Sequence, residues 1–409
     1  MKRYKLGVLL HHPIHYHAPL MRKIAQDPEI DLKVFFCFDH GVSLRRDSEF
    51  GMEYAWDVPL LADYEYEFVK NWSPWPSTAP IKGVFNPGIW RAIRNGRFDA
   101  FLVHGYVSPT VWLAVAAAKA HGTAVLLRGE STLLYPRSVA VRGVKRLALE
   151  ALFKAVDVFL TIGSRNAEFY RAYGVTDERM VLMPYCVDNE FFFAARKADP
   201  AIGKRTREQL GIGPADPVIL FVGKLIERKR PADLLCAYES LLGAHPRATL
   251  VFVGDGAQRD DLAADAKRRK LKRVHFVGFK NRTEISAYYA CADLFVLPSI
   301  HDPWGLVVNE AMCFSLPVVA SSLVGAIGDL IREGENGLSF PAGNVDRLAG
   351  CLRKLLDDPD LRGRMGARSE QIIREWSYAE CVAGIKMAGL RAVALRTSSR
   401  ACTEIGHRG

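Results

Sequence analysis

Val218-Ile219-Leu220-Phe221-Val222-Gly223-Lys224-Leu225-Ile226-Glu227-Arg228-Lys229-Arg230-Pro231 is the stretch that decides the fold. Five apolar residues in unbroken succession, rich in Val, Ile and Phe, read as a short strand buried on both faces. Gly223 ends the run and lets the chain leave it close to other backbone. A polar, strongly basic loop follows, and Pro231 suits the first position of a helix. Strand, loop and helix in this order are one half of a parallel βαβ unit.

The same cadence runs outward in both directions. Towards the N-terminus the apolar runs are 6–10, 32–38, 100–103, 124–127, 158–162 and 180–183. Towards the C-terminus they are 249–253, 274–277, 294–297 and 317–320. Segments of helical length and spacing, such as Pro109–Ala120 and Arg259–Lys270, lie between them. Alternation of this kind predicts doubly wound α/β domains. It pauses between about 190 and 217, where Ala194–Pro200 and Gly211–Pro214 are turn-rich, so two domains are expected. We place an N-terminal domain at 1–195, a linker at 196–216 with a short helix near 204–210, and a C-terminal domain at 217–375. A C-terminal helix and tail at 376–409 completes the chain. Two such domains joined by a hinge put a cleft between the carboxyl ends of their sheets, where ligands of such sheets bind. A second irregular stretch, 39–87, carries Trp72, Pro74, Trp75, Pro76 and Pro80 and reads as an ordered loop excursion.

Composition narrows the function. The 409 residues are 49% hydrophobic and 24% charged, as in ordinary globular proteins. Lys and Arg number 55 against 45 Asp and Glu, a net charge of +10. The excess is spread evenly: 25 basic and 21 acidic residues precede position 201, and 30 and 24 follow. No basic domain stands apart and no stacking motif interleaves with the charges, which argues against nucleic acid. An anionic substrate or membrane surface fits better. The eight cysteines form no C-x-x-C pair, which excludes ribbon-type zinc sites and suits a reducing compartment. The opening apolar run, Leu6–Leu10, is too short for a signal-peptide core. Val111–Leu127 is interrupted by Lys119, His121 and Gly122, so it falls short of a membrane span. A cytoplasmic protein is expected, with any membrane contact peripheral.

The richest chemistry follows the run 294–297: Pro298-Ser299-Ile300-His301-Asp302-Pro303-Trp304-Gly305-Leu306-Val307-Val308-Asn309-Glu310. Asp302-Pro303 reads as an N-cap with proline at the first helical position, the helix continuing through Glu310 to about Phe314. The free N–H groups near Gly305 and Leu306 would form an anion site. Eight helical residues from Asp302 to Glu310 would span about 12 Å, the scale separating a sugar and a ribose on either side of a diphosphate. Either carboxylate alone is also consistent with an ordinary capped helix. In the opening stretch, Lys224 and Lys229 share one strand-end loop, where two cations can hold a diphosphate as it leaves. Read singly, that loop is an ordinary solvated basic loop.

These residues resemble those of family 4 glycosyltransferases, the group 1 retaining nucleotide-sugar enzymes of GT-B fold. The likeness is carried by 222–231, Val253-Gly254-Asp255-Gly256, Val274–Phe279 and the Asp302–Glu310 segment, which matches the family's E-x7-E motif. It continues through Gly334–Leu338 and is looser in the first domain, at Asp157–Ser164, Gly174-Val175 and Pro184–Phe191. The resemblance implies GT-B architecture, with two Rossmann-like domains facing each other across a cleft. It implies that Glu310 holds the donor ribose and that Asp302 contacts the transferred sugar. Lys224 and Lys229 would contact the donor diphosphate. The amides of Trp304, Gly305, Leu306 and Val307 would lie along the sugar and phosphate, beside Gly223, and the backbone of Gly278, Phe279 and Lys280 would meet the base. Asp302 departs from the family, being one methylene shorter than its usual glutamate.

The first domain offers less. His11-His12-Pro13-Ile14-His15-Tyr16-His17 replaces the glycine-rich loop of many relatives. Its spacing fits no standard zinc site. His15 lines the cleft or belongs to a polar loop. His104 ends the run 100–103, and Arg128-Gly129-Glu130 follows 124–127, where relatives often carry a histidine. Arg128 and Glu130 bind acceptor or form a local ion pair. Asp358-Pro359-Asp360, the clearest Asp-x-Asp pair, reads as a helix cap. Arg137, Arg142, Lys145 and Arg146 alternate with apolar residues, as a basic amphipathic helix on an anionic membrane or an ordinary surface helix.

The expected protein is a metal-independent, retaining hexosyltransferase-type enzyme without cofactor. Its donor is a nucleotide-sugar and its acceptor a glycan or lipid-linked molecule, in cell-surface polysaccharide or glycolipid synthesis. A nucleotide-sugar epimerase of the same fold and a non-catalytic two-lobed sugar-binding protein are the alternatives.

Overall fold

The computed structural model describes residues 3–42, 57–77, 79, 81–135 and 139–406, and the backbone of 45–46 and 53–54; of 139–142, 144–145 and 396–406 it describes the backbone alone. The chain divides into two compact units. One comprises 1–45, 58–185 and 378–409, the other 46–57 and 186–377.

In the first unit the elements are β1 (Tyr4–Leu10), α1 (His17–Ala25) and β2 (Ile30–Phe36); the two-residue strand β3 (Arg45–Arg46) falls at the unit boundary and β4 (Glu53–Tyr54) belongs to the second unit. The first unit continues as β5 (Glu65–Phe68), α2 (Gly88–Gly96), β6 (Ala100–His104), α3 (Pro109–Ala120), β7 (Ala124–Arg128), α4 (Val139–Ala155), β8 (Val158–Thr161), α5 (Ser164–Ala172) and β9 (Met180–Leu182). Seven strands form one parallel sheet in the order β5-β2-β1-β6-β7-β8-β9. Leu6, Val8, Phe101, Val125 and Phe159 are wholly buried. Such strands need apolar residues on both faces because helices cover both sides.

In the second unit come α6 (Asn189–Ala198), α7 (Ile202–Gln209), β10 (Val218–Val222), α8 (Pro231–Leu241), β11 (Thr249–Val253), α9 (Arg259–Arg268) and β12 (Val274–Phe276). Then follow α10 (Arg282–Cys291), β13 (Leu294–Leu297), α11 (Leu306–Cys313), β14 (Val318–Ser321), β15 (Gly337–Phe340), α12 (Val345–Asp357) and α13 (Pro359–Ile373). Its sheet is parallel throughout, in the order β12-β11-β10-β13-β14-β15. That is the Rossmann order, and its direction reverses between β10 and β13. The chain then returns to the first unit as α14 (Tyr378–Gly406). There a Cβ on Gly384 would stand 2.3 Å from the Leu182 carbonyl oxygen, so α14 lies directly against the end of β9.

The stretch 196–216 lies inside the second unit, and its helix is α7. Every apolar run of the sequence coincides with a strand to within two residues. Two sheet strands carry too little apolar sequence to stand out: exposed edge strand β5, Glu-Tyr-Glu-Phe, and β15, Gly-Leu-Ser-Phe. Asp358 caps α13, accepting from the Leu361 amide at 2.8 Å, with Pro359 in the first turn. None of the described helices is long and apolar enough to cross a membrane.

Candidate functional site

The reversal of strand order in the second sheet sets β10 beside β13, and the loops leaving their carboxyl ends carry the two motifs of the sequence. Backbone packing fixes the first loop. Gly223 donates to the Val253 carbonyl at 3.0 Å, and Leu225 to that of Asp255 at 2.9 Å. A Cβ on Gly254 would lie 2.0 Å from the Gly223 oxygen, and Gly254 has φ +133°. Only glycine lets the loops after β10 and β11 approach this closely. Gly278, φ +76°, joins them from the end of β12 by accepting from the Gly254 amide at 2.9 Å.

Lys229 and Asp302 meet across these loops, Nζ 2.5 Å from Oδ2, both largely withdrawn from solvent. The Arg228 carbonyl accepts from the Ile300 amide at 2.9 Å and ties the loops together along the same line. Lys224 is half-buried. Asp302 does not cap the helix. Its carbonyl accepts from Gly325 at 2.9 Å, and the cap of α11 is Gly305, in the left-handed region at φ 92°. A side chain there would press on Leu297 at 2.9 Å and Val324 at 3.3 Å, so the turn closes only with glycine. The helix therefore starts at Leu306, four residues before Glu310, a rise of about 6 Å rather than 12. The amides of Leu306 and Val307 open its first turn, where N–H groups lack helical acceptors. Trp304 is buried beneath them, donating to Asn309 Oδ1 at 3.0 Å and stacked on Trp376 with ring centres 5.2 Å apart.

Glu310 is half-buried on α11. Its Oε2 accepts from the Tyr289 hydroxyl at 2.7 Å. Burial raises its carboxyl to about 7, against the opposing pull of Tyr289 and Arg282. Tyr289 is wholly buried on α10 and stacked on Phe314. Arg282 lies over the Phe191 ring at 3.7 Å and donates to Asp188 at 2.6 Å. The sequence pattern missed Tyr289, because an aromatic residue on an amphipathic helix reads as core. Ser299, at the start of the segment after β13, is buried with its Oγ lacking a hydrogen-bond partner among the described residues. Lys280, beyond Phe279, pairs with Glu284 at 3.3 Å.

The first sheet reverses between β1 and β6, and the histidines gather there. The His17 and His104 rings stand 4.9 Å apart. Burial and the nearby Arg128 charge hold His104 down at about 3, so it is neutral near pH 7. Its contact with Glu130 at 3.8 Å is then not an ion pair. Glu130 also accepts from the Tyr185 hydroxyl at 2.6 Å. Arg128 is buried, donating to the carbonyls of Met183 and Pro184 at 3.3 and 3.1 Å with its guanidinium over the Tyr185 ring. It braces the turn after β9. His15 is half-buried against Tyr16, ring centres 5.0 Å apart. Among the described residues no group of three or more His, Cys, Asp and Glu is arranged around a metal position. Arg137 lies outside the described residues, as do the side chains of Arg142 and Lys145; Arg146 is exposed and pairs with Glu150 at 2.7 Å.

A Rossmann sheet whose basic and acidic loops meet at the strand-order reversal has the arrangement in which such sheets bind ligands, and comparison with known proteins gives the family. The family profile described as glycosyl transferases group 1 matches residues 204–372. A D-inositol 3-phosphate glycosyltransferase of Corynebacterium efficiens is 33% identical over 317 residues, 72% of this chain and 72% of that protein. A glycogen synthase of Mycobacterium tuberculosis is 38% identical over 160 residues, 39% of this chain and 38% of that protein. The chain thus spans well under half of that synthase. Anabaena HepE in complex with UDP superposes with a TM-score of 0.71 at 17% identity, covering 94% of this chain and 98% of that one. WaaG, a glycosyltransferase involved in lipopolysaccharide biosynthesis, gives 0.64 at 17% identity, covering 94% and 99%. Likeness at this identity shows the fold, which is GT-B. The chain belongs to the group 1 glycosyltransferases.

Proposed function

We propose that this protein is a retaining glycosyltransferase that binds a nucleotide-sugar on its second unit and an acceptor on its first. The observation that carries the reading is the Lys229–Asp302 pair at the strand-order reversal. The two groups are in direct contact. A donor diphosphate brings a stronger anion to Lys229 and Lys224, and Asp302 is then released to accept from the hydroxyls of the transferred sugar. Glu310, one oxygen already engaged by Tyr289, offers the other to the ribose. The amides of Gly305, Leu306 and Val307 lie beside the phosphates, and the backbone of Gly278 and Phe279 meets the base. Trp304 acts from beneath by holding the turn. Negative charge grows on the departing diphosphate, so fixed lysines stabilise the transition state more than the ground state. This chemistry requires neither cofactor nor divalent metal. The leaving phosphate takes the acceptor proton on the same face, which retains configuration.

On the first unit, Glu130 and His104 are the acceptor-binding groups, with His15 beside them and Arg128 holding the turn. The acceptor is a glycan or lipid-linked molecule of cell-surface polysaccharide or glycolipid synthesis, met at the inner face of the membrane. A panel of nucleotide-sugars monitored for nucleotide release, with stereochemical analysis of the product, tests the reading. Release from no donor, or an inverted product, overturns it.

A further inference from the structure

The thirty residues from Val69 to Phe98 contain no Asp or Glu, five cations (Lys70, Lys82, Arg91, Arg94, Arg97) and three tryptophans. All five cations are exposed, and none is held in an ion pair among the described residues. Its described residues leave the carboxyl end of β5 in a loop and return along α2. Its apolar side chains are displayed rather than packed: Trp75 is 69% exposed, Trp72 64% and Ile81 62%, with Phe85 and Trp90 also outward.

This display is not the fraying of a loose loop. Asn86 is wholly buried at the base, its amide donating to the carbonyls of Cys37 and Val69 at 2.9 and 2.6 Å. Its backbone N–H donates to Thr110 at 3.0 Å. Asn71 Oδ1 accepts from Ser73 and Phe85, its Nδ2 donates to Gly83, and Trp72 donates to the Phe85 carbonyl. Val84 is wholly buried beside the exposed Phe85. The backbone is thus secured so that Trp72, Trp75 and Ile81 stand in water. Tryptophan's amphipathic ring prefers the headgroup level of a bilayer, and cations without intervening acids are drawn to an anionic leaflet.

We infer that the 70–91 surface docks on the anionic face of a lipid bilayer. It is a different surface from the α4 helix that the charge pattern alone suggested. The strands are parallel, so the docking loop leaves the same sheet edge as His104 and Glu130. A bilayer held there places lipid headgroups on the side where a lipid-linked acceptor has to arrive. The inference stands apart from the donor reading, since nucleotide binding belongs to the second unit.

The test is sedimentation of the full chain with vesicles of one part phosphatidylglycerol to two parts phosphatidylcholine, and with phosphatidylcholine alone. The protein is expected to bind the anionic vesicles, less so with added salt, with a blue shift of tryptophan emission. W72A/W75A is expected to lower the partition coefficient more than tenfold and to abolish the shift, since each ring removes about 150–250 Å² of contact. K70E/K82E is expected to lower it about fivefold or more per cation. Circular dichroism and the melting temperature should match wild type in both variants, which shows that they are folded. Equal binding to neutral and anionic vesicles overturns the inference, as does wild-type partition of W72A/W75A. Loss in R142E/K145E alone moves the contact to α4. No vesicle binding, with saturable binding of a soluble acidic oligosaccharide lost in W72A/W75A, gives the surface to a glycan instead.

Discussion

Tyr289→Phe removes one oxygen from the middle of the second unit and leaves the ring, its stacking on Phe314 and the fold in place. The lost contact is a 2.7 Å hydrogen bond to Glu310, worth about 1.5–3 kcal/mol because its acceptor is charged. That bond favours the ionised carboxylate. Without it, the Glu310 carboxyl, already held at about 7 by burial, rises further, by about one to two units. On the proposed reading the ribose needs an acceptor there, so nucleotide affinity is expected to fall as pH drops through the Glu310 value. In wild type the fall is centred near 7. In Tyr289→Phe it moves towards 8–9, and affinity at neutral pH drops about tenfold or more. Calorimetric titration of the preferred nucleoside diphosphate across that range reads both effects. The ribo form should lose more than its 2′-deoxy counterpart, which a merely structural role for Tyr289 does not predict. If Tyr289→Phe weakens both forms equally and leaves the pH midpoint unmoved, Tyr289 does not position Glu310. If wild-type affinity has no midpoint near 7 and Glu310→Gln binds as well as wild type, Glu310 does not hold the ribose at all.

Glu310→Gln should be more thermostable than wild type at pH 8 and not at pH 4. A carboxyl raised from 4.5 to about 7 makes the folded state bind its proton more tightly, so stability is lost as pH rises between those values, on the order of 1–3 kcal/mol; melting curves at the two pH values check it. Lys229→Ala should cost about a hundredfold in turnover, the scale of one preorganised electrostatic group. It also removes the buried contact of Lys229 with Asp302, so a lowered melting temperature accompanies the loss. Turnover at saturating donor should survive excess EDTA; if chelation abolishes it and magnesium restores it, the two-lysine account fails. Gly254→Ala should destabilise by about 1–3 kcal/mol through overpacking, read by urea unfolding, and should weaken nucleotide binding because the new methyl displaces the Gly223 carbonyl.

The parallel sheets were legible because strands buried on both faces must be written almost entirely in Val, Leu, Ile and Phe. Val218–Val222, Thr249–Val253 and Leu294–Leu297 occupy the positions their composition indicates. The edge strand Glu65–Phe68 was not legible, since an edge exposed to solvent carries no apolar run. Partners distant in sequence were equally hidden. Nothing in the spacing of 229 and 302 places their charges in contact, and nothing on α10 distinguishes Tyr289 from a core aromatic. The start of α11 misled for a local reason. Asp302-Pro303 has the composition of a helix start, but the Asp302 carbonyl is engaged by Gly325, and the chain runs on to Gly305 before it can turn.

That displacement bears on the chemistry. Had Asp302 capped the helix, its carboxylate would have served the first-turn amides, and those amides would not have been free for phosphate. With a left-handed glycine as cap, no side chain competes for them, and the carboxylate is turned to Lys229 instead. The turn thereby separates two jobs that one residue would otherwise have to share. On the function proposed above, the amides are left for an anion and the carboxylate for hydroxyls, with Lys229 against the carboxylate. On the proposed reading a one-methylene difference from glutamate matters, because Asp302 would have to reach both Lys229 and the sugar from one backbone position. The shorter side chain keeps the ion pair with Lys229 close to the loop. Donor preference is therefore where the departure from the family pattern is expected to show.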